Sequence, residues 1–140
     1  MDVFNIYLAG GMTGLTIEEQ NNWRTYVIEN LRYKTSRRIN CFNPVMYYSI
    51  EDSTVENDKD AMIFDLYKLS KSDLLIVNFN SVYSLGTMAE IAIAYSKGIH
   101  IIGINENKSE LHPWQINMVT KMFNDIDDAI EYTAEYYLNS

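Results

Sequence analysis

Cysteine is nearly missing from this chain. Cys41 is the only one, so no disulfide can form within it, and a reducing cytosol is the expected setting. Basic residues are scarce as well: 11 Lys and Arg stand against 19 Asp and Glu, a formal net charge of −8. That balance excludes a nucleic-acid duplex or an anionic membrane as the expected partner, because both attract basic surfaces. It leaves room for a small anionic ligand held by backbone amides. Neither of the two histidines, His100 and His112, joins a Cys, Asp or Glu cluster with metal-ligand spacing. No metal, no cofactor and no thiol chemistry are therefore expected. No apolar run approaches membrane length, and the first ten residues, MDVFNIYLAG, have no basic region of the kind that opens a signal peptide.

What is present suits a single domain over residues 1–140, with 47% hydrophobic residues to build a core. Val3 to Ala9 reads as a first strand, ending at Gly10-Gly11. Thr16 and Glu19 have the spacing of a capping box, and the helix they open runs to about Tyr33 with Trp23, Val27 and Leu31 on its core face. Ile39 to Phe42 is a short strand stopped by Pro44. Met46 to Asn57 has no period and reads as an exposed loop or lid containing Tyr47, Tyr48, Ser49, Glu51 and Asp52. A helix from Asp58 to Lys71 carries Met62, Leu66 and Leu69 inward.

Leu74 to Val77 is a continuous apolar strand of the kind buried on both faces. Asn78 to Ser84 is a polar loop. Gly86 and Thr87 open a helix whose Ala89, Ala92 and Ala94 allow close packing, with Glu90 in its first turn, and Gly98 closes it. Ile99 to Ile104 is a further buried strand, which would make His100 a core residue. His112-Pro113-Trp114 begins a short helix, Val119 to Phe123 is a weak fifth strand, and Asp125 to Tyr137 is a final helix. Strands alternating with helices predict an α/β fold: a Rossmann- or flavodoxin-like, doubly wound, mostly parallel five-stranded sheet flanked by helices.

Four groups of residues can carry chemistry. Gly10, Gly11 and Gly14, with Met12 and Thr13 between them, allow a ligand to approach backbone and meet N–H groups. Their spacing is neither a P-loop nor the GxGxxG dinucleotide fingerprint; a tight strand-to-helix turn explains them equally well. Glu90 has a plain reading as an acid favoured near a helix start. Against it, the small-residue helix sets Glu90 over the strand ends. Asp65 lies among Ile63, Phe64, Leu66 and Tyr67; the default for one helix Asp is solvent, unless the helix delivers it to the Glu90 loop. Two carboxylates brought together there can divide labour, one as nucleophile and one as acid or base. His112 with Trp114 has an ordinary structural reading.

IYLAGGMTG at the start, Asp65 ahead of SDLLIVN, and SLGTMAEIAIAYSKGIHIIGI together resemble the nucleoside 2-deoxyribosyltransferase family, including its nucleoside 5′-monophosphate N-glycosidase branch. The resemblance covers roughly residues 4 to 104 and fits the final helix. It implies cleavage or exchange of the bond between sugar C1′ and a nucleobase. Glu90 maps onto the nucleophile that forms a covalent glycosyl-enzyme, and Asp65 onto the acid that assists the base. Ser84 stands six residues before Glu90, where the nucleotide-acting branch has a Ser that contacts a 5′-phosphate and free-nucleoside enzymes can have an Asp. The Arg of that branch's N-terminal loop has no counterpart: Met12 and Thr13 stand there, and Arg24 is the first Arg of the chain. Tyr7, Asn78 and Gly86 complete the expected pocket with the glycine loop. The resemblance also implies a homodimer or larger homo-oligomer, with the segment from His112 to Met118, and Asn117 in particular, donated to a neighbouring site. A second hypothesis is a module that binds, sequesters or senses a nucleotide without turnover, for which Glu90 and Asp65 would be unnecessary. A third is an interaction protein using Tyr47, Tyr48, Tyr136 and Tyr137.

Overall fold

A computed structural model of the chain describes residues 2–47 and 54–140. Five parallel strands form one sheet in the order β2-β1-β3-β4-β5: β1 (Phe4–Gly10), β2 (Ile39–Phe42), β3 (Leu74–Asn78), β4 (His100–Ile104) and β5 (Lys121–Phe123). The alternation of strand and helix seen in the sequence is the cause. Parallel neighbours need a crossover, and each helix covers a sheet face that the apolar strands cannot leave in water. The helices are α1 (Ile17–Lys34), α2 (Val55–Ser70), α3 (Leu85–Ser96), α4 (Pro113–Met118) and α5 (Ile126–Thr133); the last continues as a π-helical turn over Ala134–Leu138.

The two faces of the sheet have separate cores. Ile6, Leu8, Leu74, Ile76, Ile102 and Ile104 point to one side, where Trp23, Val27 and Leu31 of α1 meet Ala129 and Ile130 of α5. Tyr7, Ala9, Leu75, Val77 and Ile101 point to the other, where Leu69 of α2 and Ile91 and Ala94 of α3 cover them. Central strand β3 is buried at every residue, in keeping with its unbroken apolar run. The capping box closes as the sequence requires: Thr16 accepts from the Glu19 amide at 3.1 Å, and the Glu19 carboxylate accepts from the Thr16 amide at 2.9 Å.

Several details differ from the sequence reading. α2 begins at Val55, capped by Thr54, because the Thr54 hydroxyl accepts from the Asn57 amide at 3.1 Å. Its inner stripe is Ala61, Asp65, Leu66 and Leu69, and Met62 faces outward, 54% exposed. β5 is shorter than expected, Lys121–Phe123, and Val119 packs beneath it as a core residue rather than a strand member. Ala89 lies on the outer side of α3, leaving Ala94 as the alanine that seats that helix. His100 is exposed at the start of β4, its Nδ1 sharing a 2.8 Å hydrogen bond with the Tyr137 hydroxyl, so it is satisfied at the rim rather than in the core. Tyr48, Ser49, Glu51 and Asp52 of the expected lid lie outside the described residues.

Candidate active site

In an open parallel sheet, ligands bind beyond the carboxyl ends of the strands where the chain order reverses. Here that point lies between β1 and β3, which are paired through Gly10 and Asn78. α1 leaves β1 for one face of the sheet, and α3 leaves β3 for the other. The two glycines at the end of β1 are there for want of space. A Cβ on Gly10 would stand 2.9 Å from the Trp23 ring, and one on Gly11 only 2.6 Å from Cβ of Ser81. The glycine loop and the loop after β3 are thus pressed together. The Gly11 amide donates to the Asn80 side-chain oxygen at 3.1 Å. That amide is consumed by the protein, which removes it from the set that the sequence offered to an anion.

Glu90 is in the second turn of α3, not the first. The helix starts at Leu85 with Ser84 as its N-cap. A helix-dipole explanation therefore loses its force, since that field fades within one turn. Helical spacing explains the placement instead: Glu90 shares the sheet-facing stripe with the buried Thr87, Ile91 and Ala94. Asp65 occupies the inner stripe of α2 in the same way, half-buried between Ala61 and Leu69. α2 and α3 are neighbours over Tyr7, which is wholly enclosed in β1. The Tyr7 hydroxyl donates a hydrogen bond to Glu90 Oε2.

The electrostatics follow from this burial. Loss of water pushes the Glu90 carboxyl up from 4.5 to about 7; the Tyr7 hydrogen bond opposes the rise, the Asp65 charge adds to it, and Arg24 opposes it. Burial likewise raises Asp65 from 3.8 to about 6, with Arg24 pulling the other way. Tyr7 is driven far above its ordinary value by burial and then by the Glu90 and Asp65 charges, so it remains a donor. Near neutral pH the site holds two carboxyl groups that are each partly protonated, and the charge of Asp65 bears on Glu90. That is the condition in which one can act as an acid while the other is ionised.

Asn78 ends β3 with its side chain buried, beside Gly10. Ser84 is half-buried. Its hydroxyl accepts from the Thr87 amide at 3.3 Å and shares a 2.9 Å bond with the Thr87 hydroxyl, so it caps α3. Gly86 is exposed in the first turn of α3, with open space around its α-carbon. Met12 is half-buried, its carbonyl accepting from Gln20 Nε2 at 2.9 Å, while Thr13 and Gly14 are exposed, Gly14 at φ 81°. Asn117 lies exposed on α4, its amide nitrogen donating to the Pro113 carbonyl at 2.7 Å, and its bond is local to that helix. His112 caps α4 through Nδ1, which accepts from the Trp114 amide at 3.1 Å; this is the ordinary structural role.

Two groups in this neighbourhood were not singled out from the sequence. Arg24 is 1% exposed behind β1. Phe42 packs on Tyr7 at 5.2 Å, stacks on Tyr47 at 5.2 Å, and meets Phe64 edge-on at 5.6 Å. The sequence marked Arg24 only as the first Arg after the glycine loop, with nothing local to show that it is enclosed. Among the described residues no group of three or more His, Cys, Asp or Glu converges as a metal site, and no helix is long and apolar enough to cross a membrane.

No family model matches the chain, and no curated protein matches it in sequence. Solved structures do match it in shape. A 2-deoxyribosyltransferase from Bacillus psychrosaccharolyticus superposes with a TM-score of 0.74 at 17% identity, over 91% of this chain and 91% of that one. A conserved protein from Enterococcus faecalis V583 gives 0.73 at 17% identity, over 93% and 96%. A CMP N-glycosidase from Clostridium botulinum gives 0.54 at 16% identity, over 94% and 98%. The chain thus has the fold of a 2-deoxyribosyltransferase and of a CMP N-glycosidase, the two kinds of enzyme that its sequence resembles.

Proposed function

We propose that this protein cleaves or exchanges the N-glycosidic bond of a (deoxy)nucleoside or its 5′-monophosphate. The observation that carries the reading is the Glu90 carboxyl, raised by burial and by the half-buried Asp65 of the neighbouring helix and held by a wholly buried Tyr7 at the switch point of the sheet. Tyr7 holds Oε2 of Glu90, so Oε1 is the atom left to attack C1′. The bond from C1′ to the base nitrogen breaks, its electron pair leaves with the base, and Asp65 supplies the proton in the minority microstate in which it is protonated and Glu90 ionised. The ester at Glu90 is then opened at C1′ by water or by a second base, whose proton Asp65 takes up. Covalent catalysis of this kind replaces one difficult step by two easier ones, each passing through an oxocarbenium-like state that a nearby carboxylate stabilises.

The glycine loop, Asn78, Ser84 and Gly86 bind the sugar end in this reading. Ser84 and the exposed start of α3 offer hydrogen bonds to either a 5′-hydroxyl or a 5′-phosphate, and Met12 lies against the base. The protein works in the cytoplasm as a homo-oligomer: a second copy covers Tyr83 and Leu85, which flank Ser84 at 91% and 86% exposure, and brings Asn117 to its neighbour's site.

The test is direct. Single deoxynucleosides, ribonucleosides and their monophosphates are incubated with the protein, each with and without a second free base, and base release or exchange is followed chromatographically. Release without acceptor marks a hydrolase; exchange marks a transferase. Tight nucleotide binding with no chemistry over long incubation would favour the sequestering module instead. Turnover that survives in Glu90→Ala would remove Glu90 from the mechanism.

A further inference from the structure

The largest side chain wholly enclosed in this fold is a charged one. Arg24 projects from α1 on the face of the sheet opposite Asp65 and Glu90, and is 1% exposed. Its Nε donates to the Leu8 carbonyl and its Nη2 to the Gly10 carbonyl, each at 3.2 Å, and Nη1 donates to the Gln20 carbonyl. The guanidinium carbon lies 4.7 Å from the centre of the Trp23 ring. Every one of these partners is neutral. Among the described residues the one ion pair is Lys34 with Glu131, so no carboxylate stands within salt-bridge distance of Arg24. An enclosed cation without a counter-charge is costly, and three carbonyls satisfy its donors without balancing its charge. The negative groups that face it are Glu90 from α3 and Asp65 from α2, seen through the strand that carries Tyr7.

We propose that Arg24 is a positioning residue for the carboxylate pair: through the Leu8 and Gly10 carbonyls, on either side of Ala9, it braces from behind the sheet the strand whose Tyr7 holds Glu90, and its charge faces the pair through that strand. The inference deepens the reading of Glu90 as the attacking carboxylate and rests on it for its catalytic meaning. Its physical content stands apart from any reaction. Burial and the Asp65 charge both favour protonated Glu90, and a protonated carboxyl cannot attack C1′. Two influences oppose them, the Tyr7 hydroxyl from β1 and Arg24 from α1. A guanidinium in direct contact would bind both carboxylate oxygens and blunt the nucleophile. Placed behind a layer of backbone, Arg24 favours the charged form and leaves Oε1 free.

The experiment is a titration of glutamate side-chain carboxyl carbons by NMR in uniformly 13C-labelled protein, with the Glu90 signal assigned through Glu90→Gln. Wild type is compared with Arg24→Met and Arg24→Gln, which remove the charge, and Arg24→Lys, which retains it. The Glu90 midpoint is expected to rise by roughly one pH unit in the neutral variants and by less than about half of that in Arg24→Lys. An unchanged midpoint in a folded neutral variant overturns the proposal. So does an equal rise in Arg24→Lys, which would assign the effect to the lost carbonyl bonds alone. Should both neutral variants fail to fold, Arg24→Lys decides: a midpoint near that of wild type supports the charge and a large rise refutes it. Because this measurement needs no turnover, a protein inactive on every nucleoside and nucleotide would sink the proposed function and leave the role of Arg24 standing. In an active enzyme the acidic limb of kcat/KM must move with the same midpoint.

Discussion

Replacing Glu90 by glutamine should stabilise this protein progressively as pH rises above about 4.5, and fully once pH passes about 7. Burial raises the Glu90 carboxyl from 4.5 to about 7, so between those values the folded chain holds a proton that the unfolded chain has released. Whenever the folded state binds more protons, stability falls as pH rises. The favourable contribution is therefore whole below about pH 4.5 and has been lost once pH passes the folded value near 7. Each tenfold change in proton affinity is worth about 1.4 kcal/mol, so the full loss is about 3 kcal/mol, an order-of-magnitude figure. Glutamine retains the shape and an oxygen to accept from Tyr7, and it carries no charge at any pH. Urea unfolding of wild type and Glu90→Gln at about pH 4, 6 and 8 reads the difference directly. The variant should match wild type at about pH 4 and exceed it by about 2–3 kcal/mol at pH 8. Other carboxylates cancel in the comparison. A variant no more stable than wild type at pH 8, or one equally stabilised at every pH, would refute the account of a desolvated carboxylate.

Tyr7→Phe removes the donor that opposes the rise at Glu90; it should cost about 1–3 kcal/mol at pH 8 and clearly less at pH 4, measured in the same unfolding series. Asp65→Asn removes a charge that raises Glu90, so the Glu90 midpoint should fall in an NMR titration. Ser84→Ala deletes the cap of α3 and should cost about 1 kcal/mol of stability; if the substrate is a 5′-monophosphate, its KM should rise more than that of the parent nucleoside. Gly11→Ala sets a methyl 2.6 Å from Ser81 Cβ, and the two loops must part; a loss of about 1–3 kcal/mol in urea unfolding is expected. Cys41, half-buried and pushed up to about 11 by burial, should resist iodoacetamide at neutral pH and react only on unfolding, as mass spectrometry would record.

Much of the fold was legible because it is written in local, periodic signals. The unbroken apolar run of β3, the capping box of α1 and the alternation of strand and helix each depend on a few adjacent residues, and all reappear in the structure. Met62 was misplaced because its apolar character fits the helical period as well as Ala61 does. The choice between two adjacent stripes is made by tertiary packing, which no property of α2 alone reveals. His100 was set in the core because strand membership was taken to mean burial, yet the first residue of a buried strand can stand at the open rim. Glu90 and Asp65 could be named from the resemblance, but their meeting over Tyr7 depends on two helices crossing one strand, a relation between residues 83 apart in the case of the hydrogen bond itself.

The burial of Arg24 was missed for a different reason. A single cation in an amphipathic helix is assumed to face water, because a buried one is so costly. The same reasoning turns its burial into information. Local rules of composition are broken here by an enclosed arginine, an enclosed tyrosine hydroxyl and two half-enclosed carboxyls, all gathered at the ends of β1 and beneath α2 and α3. A chain selected for stability alone could fill these positions with leucine and gain by it. Stability surrendered at one place, by groups whose charges are coupled across a strand, is what an acid–base site requires and a packing core does not. If so, the substitutions Glu90→Gln and Asp65→Asn should combine to give a protein more stable at pH 8 than either alone, and one with no remaining chemistry. A double variant that is stabilised and still turns over a nucleoside would place the reaction elsewhere on the fold.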